Sequence, residues 1–95
     1  MSLIEMKKDD KYRVVTTNPI DADVYVKTDE MAYVKYFKRY EKAIEFAEIE
    51  GQKHTRQTPL TTLEFDMDTT SPFTQREAYK VTSGEHCWYV EEVNN

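Results

Sequence analysis

Val34–Gly51, VKYFKRYEKAIEFAEIEG, is the stretch around which the rest of the chain must pack. Phe37, Tyr40, Ile44 and Ala47 recur at helical spacing, and Ala43 and Phe46 widen the same apolar stripe. Gly51 stands where a left-handed residue would end the run. No other segment is as long or as periodic, and the sequence on either side reads as strands that need a face to cover.

Residues 31–37, MAYVKYF, overlap this stretch and admit two readings. As helix, Asp29 is the N-cap and Met31 and Val34 lengthen the stripe. As strand, the segment follows a tight Asp-Glu turn, and the density of rings at Tyr33, Tyr36 and Phe37 favours this reading. A helix from Lys38 to Glu50 then follows.

Working outward, residues 1–10 read as a frayed lead-in. Tyr12–Thr17, YRVVTT, is β-branched and short, a first strand. Asn18-Pro19-Ile20-Asp21 forms a turn, because proline presets its first corner and Asn and Asp can bond their own backbone. Val24–Val26 is a second strand, closed by Thr28-Asp29-Glu30. Beyond the helix, residues 52–59 read as a polar loop ending at Pro59. Leu60–Met67 is a strand with Leu63, Phe65 and Met67 on one face. After a loop at 68–75 come a strand at Glu77–Thr82, a hairpin turn at Ser83-Gly84-Glu85 and a last strand at His86–Val93.

The order β-β-(β)-α-β-β-β, with short links between strands, predicts an α+β domain: an antiparallel sheet of five or six strands with one helix across one face. A helix about 10 Å across cannot cover strands spaced about 4.8 Å apart over that width. Trp88 and Val90 alternate with Cys87 and Tyr89, and Tyr33 and Phe37 with Val34 and Tyr36, so both faces carry large apolar groups. The helix-free face is therefore expected to need cover from a second copy in a homodimer, or from another protein.

Composition sets limits on function. At 95 residues the chain makes one domain with one core, and 39% apolar residues, 13% of the total being aromatic, fill a thin two-layer interior rather than a deep pocket. The net charge of −5 is uneven. Residues 1–56 balance, whereas residues 57–95 set two cations, Arg76 and Lys80, against seven carboxylates. Such an acidic half opposes direct nucleic-acid binding and suits a partner protein with a basic surface. The lone Cys87 excludes an internal disulfide, and without a signal-peptide core or membrane-length apolar run the chain is expected to be cytoplasmic and away from membranes.

No chemistry is singled out. His86 and Cys87 are neighbours on a strand and point to opposite faces, so neither can activate the other. No ligand pair has the spacing of a zinc or calcium motif, and Gly51 and Gly84 alone cannot make a phosphate-cradling loop. No metal, cofactor or catalytic residue is predicted, and the chain reads as a non-enzyme.

Two candidate surfaces remain. Glu64, Asp66, Asp68, Glu85, Glu91 and Glu92, with Tyr79, Trp88 and Tyr89 beside them, have the makeup of an interaction surface in which rings anchor and carboxylates steer. A small acidic inhibitor of the kind carried by phages or mobile elements, docked on a basic host protein, is one use of it. The alternative is an anion or nucleotide site at the start of the helix, open to sharing across a dimer interface, built from Lys35, Lys38 and Arg39 with Tyr33, Tyr36 or Tyr40 stacking. The plainer account of those charges is that Lys38–Glu41 and Lys42–Glu45 pairs stabilise an exposed helix face.

Overall fold

A computed structural model of the chain describes residues 10–28 and 32–93. Residues 1–9 of the expected lead-in, and Asp29 and Glu30 of the expected turn, lie outside these. Asp10, the last residue of that lead-in, is buried. Strands β1 (Tyr12–Thr16), β2 (Val26–Lys27) and β3 (Tyr33–Phe37) precede the single helix α1 (Tyr40–Gln57). Strands β4 (Leu63–Thr70), β5 (Glu77–Ser83) and β6 (His86–Glu92) follow it. All pairings are antiparallel, and the order across the six-stranded sheet is β2-β3-β1-β6-β5-β4. The fold is α+β, one helix on an antiparallel sheet, as the element order predicts.

Residues 33–37 are strand, so ring density decides the ambiguous segment correctly. The helix differs from expectation at both ends. It starts two residues later than Lys38 and runs through Gly51 to Gln57, so residues 52–57 are helical and not loop. Gly51 is a mid-helix residue pressed against the sheet: a Cβ there would stand 2.6 Å from Val81 Cγ1 and 3.0 Å from Leu63 Cδ1. The glycine serves close approach rather than termination. The turn beyond it is held by the buried Ser83 hydroxyl, 2.8 Å from His54 Nδ1 and 2.7 Å from Thr55 Oγ1. Thr58 N–H closes on His54 O and Pro59 follows, which ends the helix.

Ala22–Val24 is a 3-10 turn, capped by the Asp21 carboxylate, which accepts from Asp23 N–H. The second strand therefore shrinks from Val24–Val26 to two residues, Val26–Lys27. The turn places Tyr25 beneath the helix, where its hydroxyl donates to the buried Glu50 carboxylate at 2.9 Å. Burial first, and the Glu50 charge second, hold the Tyr25 phenol well above its ordinary pKa. Trp88 Nε1–H lies close enough to favour the ionised phenol, yet falls outside hydrogen-bonding geometry and is buried with no partner among the described residues.

Val14, Tyr79, Val81, Trp88 and Val90 face α1 and meet Ala43 and Ala47, the small residues that let the helix lie near the sheet. Val15 and Val34 form a second cluster on the opposite face with Ala32. That face does not stay greasy. The β4–β5 connection brings Phe73 over it, edge-on to Tyr89 at 5.9 Å, and Phe73 and Tyr36 pack on the Val15 cluster. Ser71, fully buried, accepts from Phe73 N–H and braces the turn. The expectation that the helix-free face must recruit cover thus loses its premise, because the chain covers these residues itself.

Candidate functional site

The predicted acidic surface is dispersed by the register. Trp88 is 0% exposed in the helix-side core and is not offered to a partner, and Tyr79, buried beside it, reaches the surface only as part of the wall of a cleft. Glu91 is 1% exposed on the far face, where Arg13 Nε donates to its Oε1 at 2.8 Å and Thr74 Oγ1 to its Oε2 at 3.3 Å. Trp88 and Glu91 serve the interior and do not belong to an exposed docking surface. Glu85 and Tyr89 share a shallow far-face cleft of about 180 Å³ with Cys87 and Phe73. Glu92 sits at the far end of β6, roughly 20 Å from Glu85 at strand rise.

Glu64, Asp66 and Asp68 remain on β4, the outer strand. All three are exposed, and among the described residues none takes part in an ion pair. Asp66 uses one oxygen locally, accepting from Asp68 N–H at 3.0 Å. The pairing register shifts by one residue here, from Asp66↔Lys80 to Thr69↔Ala78, so Met67 and Asp68 form a bulge. A bulge turns the strand and re-aims its side chains. Phe65 and Met67 are 49% and 66% exposed, on the helix side of the sheet beyond the reach of α1. The exposed apolar surface is therefore beside the helix, not behind the sheet.

That uncovered corner holds a cleft of about 220 Å³, walled by Tyr12, Tyr40, Met67 and Tyr79, with Glu77 and Glu92 among its lining. Tyr12 and Tyr40 are tilted at 50° with centroids 5.3 Å apart. Phe65 stacks parallel to Tyr79 at 6.4 Å. The Tyr79 hydroxyl donates to Glu48 Oε2 at 2.7 Å, and burial followed by this bond holds its pKa well above the ordinary phenol value. Glu92 also lines a third cleft of about 280 Å³, shared with Arg13 and Arg76.

Among the described residues the side chains of the alternative anion site are not brought together. Lys35 and Tyr33 point to the helix side and Tyr36 to the far side, as the β1–β3 register requires. Lys35 Nζ rests over the rings of Phe37 and Phe46, at 5.6 and 5.7 Å from their centroids. Tyr33 packs edge-on to Tyr25 and lies under Lys27 Nζ, while Tyr40 pairs with Tyr12. Lys38 and the N-cap residue Arg39 are exposed and line none of the three clefts.

His54 and His86 form a cluster that the sequence did not suggest, with ring centroids 4.0 Å apart. His54 also approaches Ser83, but that hydroxyl is fully buried and shared with Thr55, which makes it a tie between α1 and β5 rather than a nucleophile. His86 stacks on the helix side whereas Cys87 lines the far-face cleft, so the two do face apart. Among the described residues no group of three or more His, Cys, Asp or Glu could hold a metal ion, and no helix is long and apolar enough to cross a membrane.

Comparison of the chain with protein-family models, curated proteins and solved structures finds no match. The geometry of its own residues is therefore what a functional reading has to rest on.

Proposed function

We propose that this chain is a protein-binding module that docks on a partner with a basic surface. One observation carries the reading: along β4, exposed Phe65 and Met67 alternate with exposed Glu64, Asp66 and Asp68, none of the three carboxylates in an ion pair among the described residues. Apolar side chains supply contact area and unneutralised carboxylates supply steering, the division of labour found at protein interfaces. A nucleic-acid ligand would be repelled by the same charges. Occupying the nucleic-acid-binding face of a basic protein would inhibit that protein, and this is the use the acidic edge suits best.

The test compares three immobilised proteins: the parent chain, Phe65→Ser with Met67→Ser, and Glu64→Gln with Asp66→Asn and Asp68→Asn. Captured proteins are identified by mass spectrometry across a salt series. Basic proteins retained by the parent, released by rising salt and lost by both variants are the expected result. Capture that both variants leave intact would refute the assignment to β4.

A further inference from the structure

The cleft beside β4 has a composition of its own. Tyr12 comes from β1, Tyr79 and Glu77 from β5, Glu92 from β6 and Tyr40 from the first residue of α1. Met67 closes the wall from the β4 bulge. Among the described residues no lysine or arginine lines it, and neither Glu77 nor Glu92 is in an ion pair. Glu48, bonded to the Tyr79 hydroxyl, adds a third carboxylate behind the ring wall.

We infer that this cleft is the seat of a cationic side chain, arginine or lysine, projecting from the partner protein. The inference rests on the docking role proposed for β4 and adds where one partner residue goes. Three properties of the cleft point the same way. Its size, about 220 Å³, falls below the range of roughly 300–1,000 Å³ typical of sites for whole small molecules, and suits one long side chain. The faces of tyrosine rings carry negative potential and attract cations placed within about 6 Å of their centroids. Glu77 and Glu92 at the lining offer charge-assisted hydrogen bonds to an ammonium or guanidinium. An anion would meet carboxylates without a cation, and a wholly apolar group would desolvate them without replacing the lost water.

The bulge supplies the link to the docking edge. Met67 is both an exposed apolar residue of β4 and a wall of the cleft, so a segment lying along the edge passes the mouth. Its long basic side chains can enter while its apolar ones meet Phe65. The neighbouring Glu64, Asp66 and Asp68 would draw in the rest of its charge.

The experiment uses the full chain and NMR titration with N-acetyl-arginine amide, whose only charge is the guanidinium, against N-acetyl-norleucine amide, which has none. The arginine probe should shift the ring resonances of Tyr12 and Tyr40 and the Met67 methyl in a saturable manner, and the norleucine probe should not. Glu77→Gln with Glu92→Gln, both at exposed positions, should weaken the arginine probe roughly fivefold to tenfold, and Tyr40→Leu by a similar factor. No shift with either probe, or equal shifts with both, overturns the inference. Retention of a basic partner that needs Phe65 and Met67 but is indifferent to Glu77→Gln, Glu92→Gln and Tyr40→Leu also overturns it, and leaves the docking role standing. Arginine binding in the cleft with no basic protein retained by the parent chain overturns both, and marks the ligand as a free cation.

Discussion

Replacing Gly51 by alanine tests whether the helix needs a glycine to reach the sheet. In an exposed helix the change stabilises, since alanine is favoured over glycine by about 1 kcal/mol in a helix interior. Here the new methyl would lie 2.6 Å from Val81 Cγ1 and 3.0 Å from Leu63 Cδ1, with Trp88 Cζ3 at 3.9 Å. Val81 is fully buried on β5, between β4 and β6, and cannot swing clear, although the half-buried Leu63 can. Overpacking of this kind costs about 1–3 kcal/mol. The cost exceeds the propensity gain by roughly 1 kcal/mol, which for a domain of this size lowers Tm by about 4–8 °C. Thermal and urea unfolding followed by circular dichroism will read the difference. The same substitution placed on Val81→Ala should recover most of the propensity gain, because the atom it strikes is gone, giving a coupling energy of about 1 kcal/mol or more. Lifting α1 should also lengthen the Glu48–Tyr79 bond one turn earlier and disturb the tyrosine cleft. A Gly51→Ala protein as stable as the parent, or more so, would refute the close-approach account and restore the simpler view of Gly51 as a weak helix residue.

Two further outcomes follow from the packing. Desolvation first and the neighbouring His86 ring second hold the His54 pKa below its ordinary 6.5, so the folded chain takes up this proton less readily than the unfolded one. The His54 contribution to stability is complete above about pH 6.5 and declines as pH falls from there towards the lowered folded-state value; His54→Gln should flatten the change in urea midpoint between pH 7.5 and 5.5, and an unchanged slope would count against it. Phe73→Ala should uncover Val15 and Tyr89, cost about 1–2 kcal/mol for a half-buried ring, and raise the apparent mass in light scattering by self-association. A variant of parental stability and mass would show that Phe73 is not the cover it is taken to be.

The candidate site divides along the same lines as the packing. The acidic bias after residue 57 is plain in the chain, and so is the shared face of Leu63, Phe65 and Met67. Which carboxylates stay outside is not. Glu91 reads like Glu92, yet register places it opposite Arg13 and under Thr74, whereas Glu92 lies opposite Tyr12 at the rim of a cleft. Tyr12 and Tyr40 are 28 positions apart, and no periodicity within either segment brings their rings together.

Local physics is enough for the strand character of 33–37, for the two-residue hairpin at Gly84, whose φ is +62°, and for the alternation that sends Trp88 and Val90 one way and Tyr89 the other. These follow from side-chain shape and from the two-residue period of a strand, which the neighbours in sequence already specify. Only the assembled layers decide that Gly51 is a point of close approach and not an end, that the 71–76 connection folds Phe73 over the far face, and that β4 is left on the outside with Phe65 and Met67 uncovered. Each of those depends on what lies across the sheet or over it, and such contacts join residues whose separation along the chain carries no signal of their meeting.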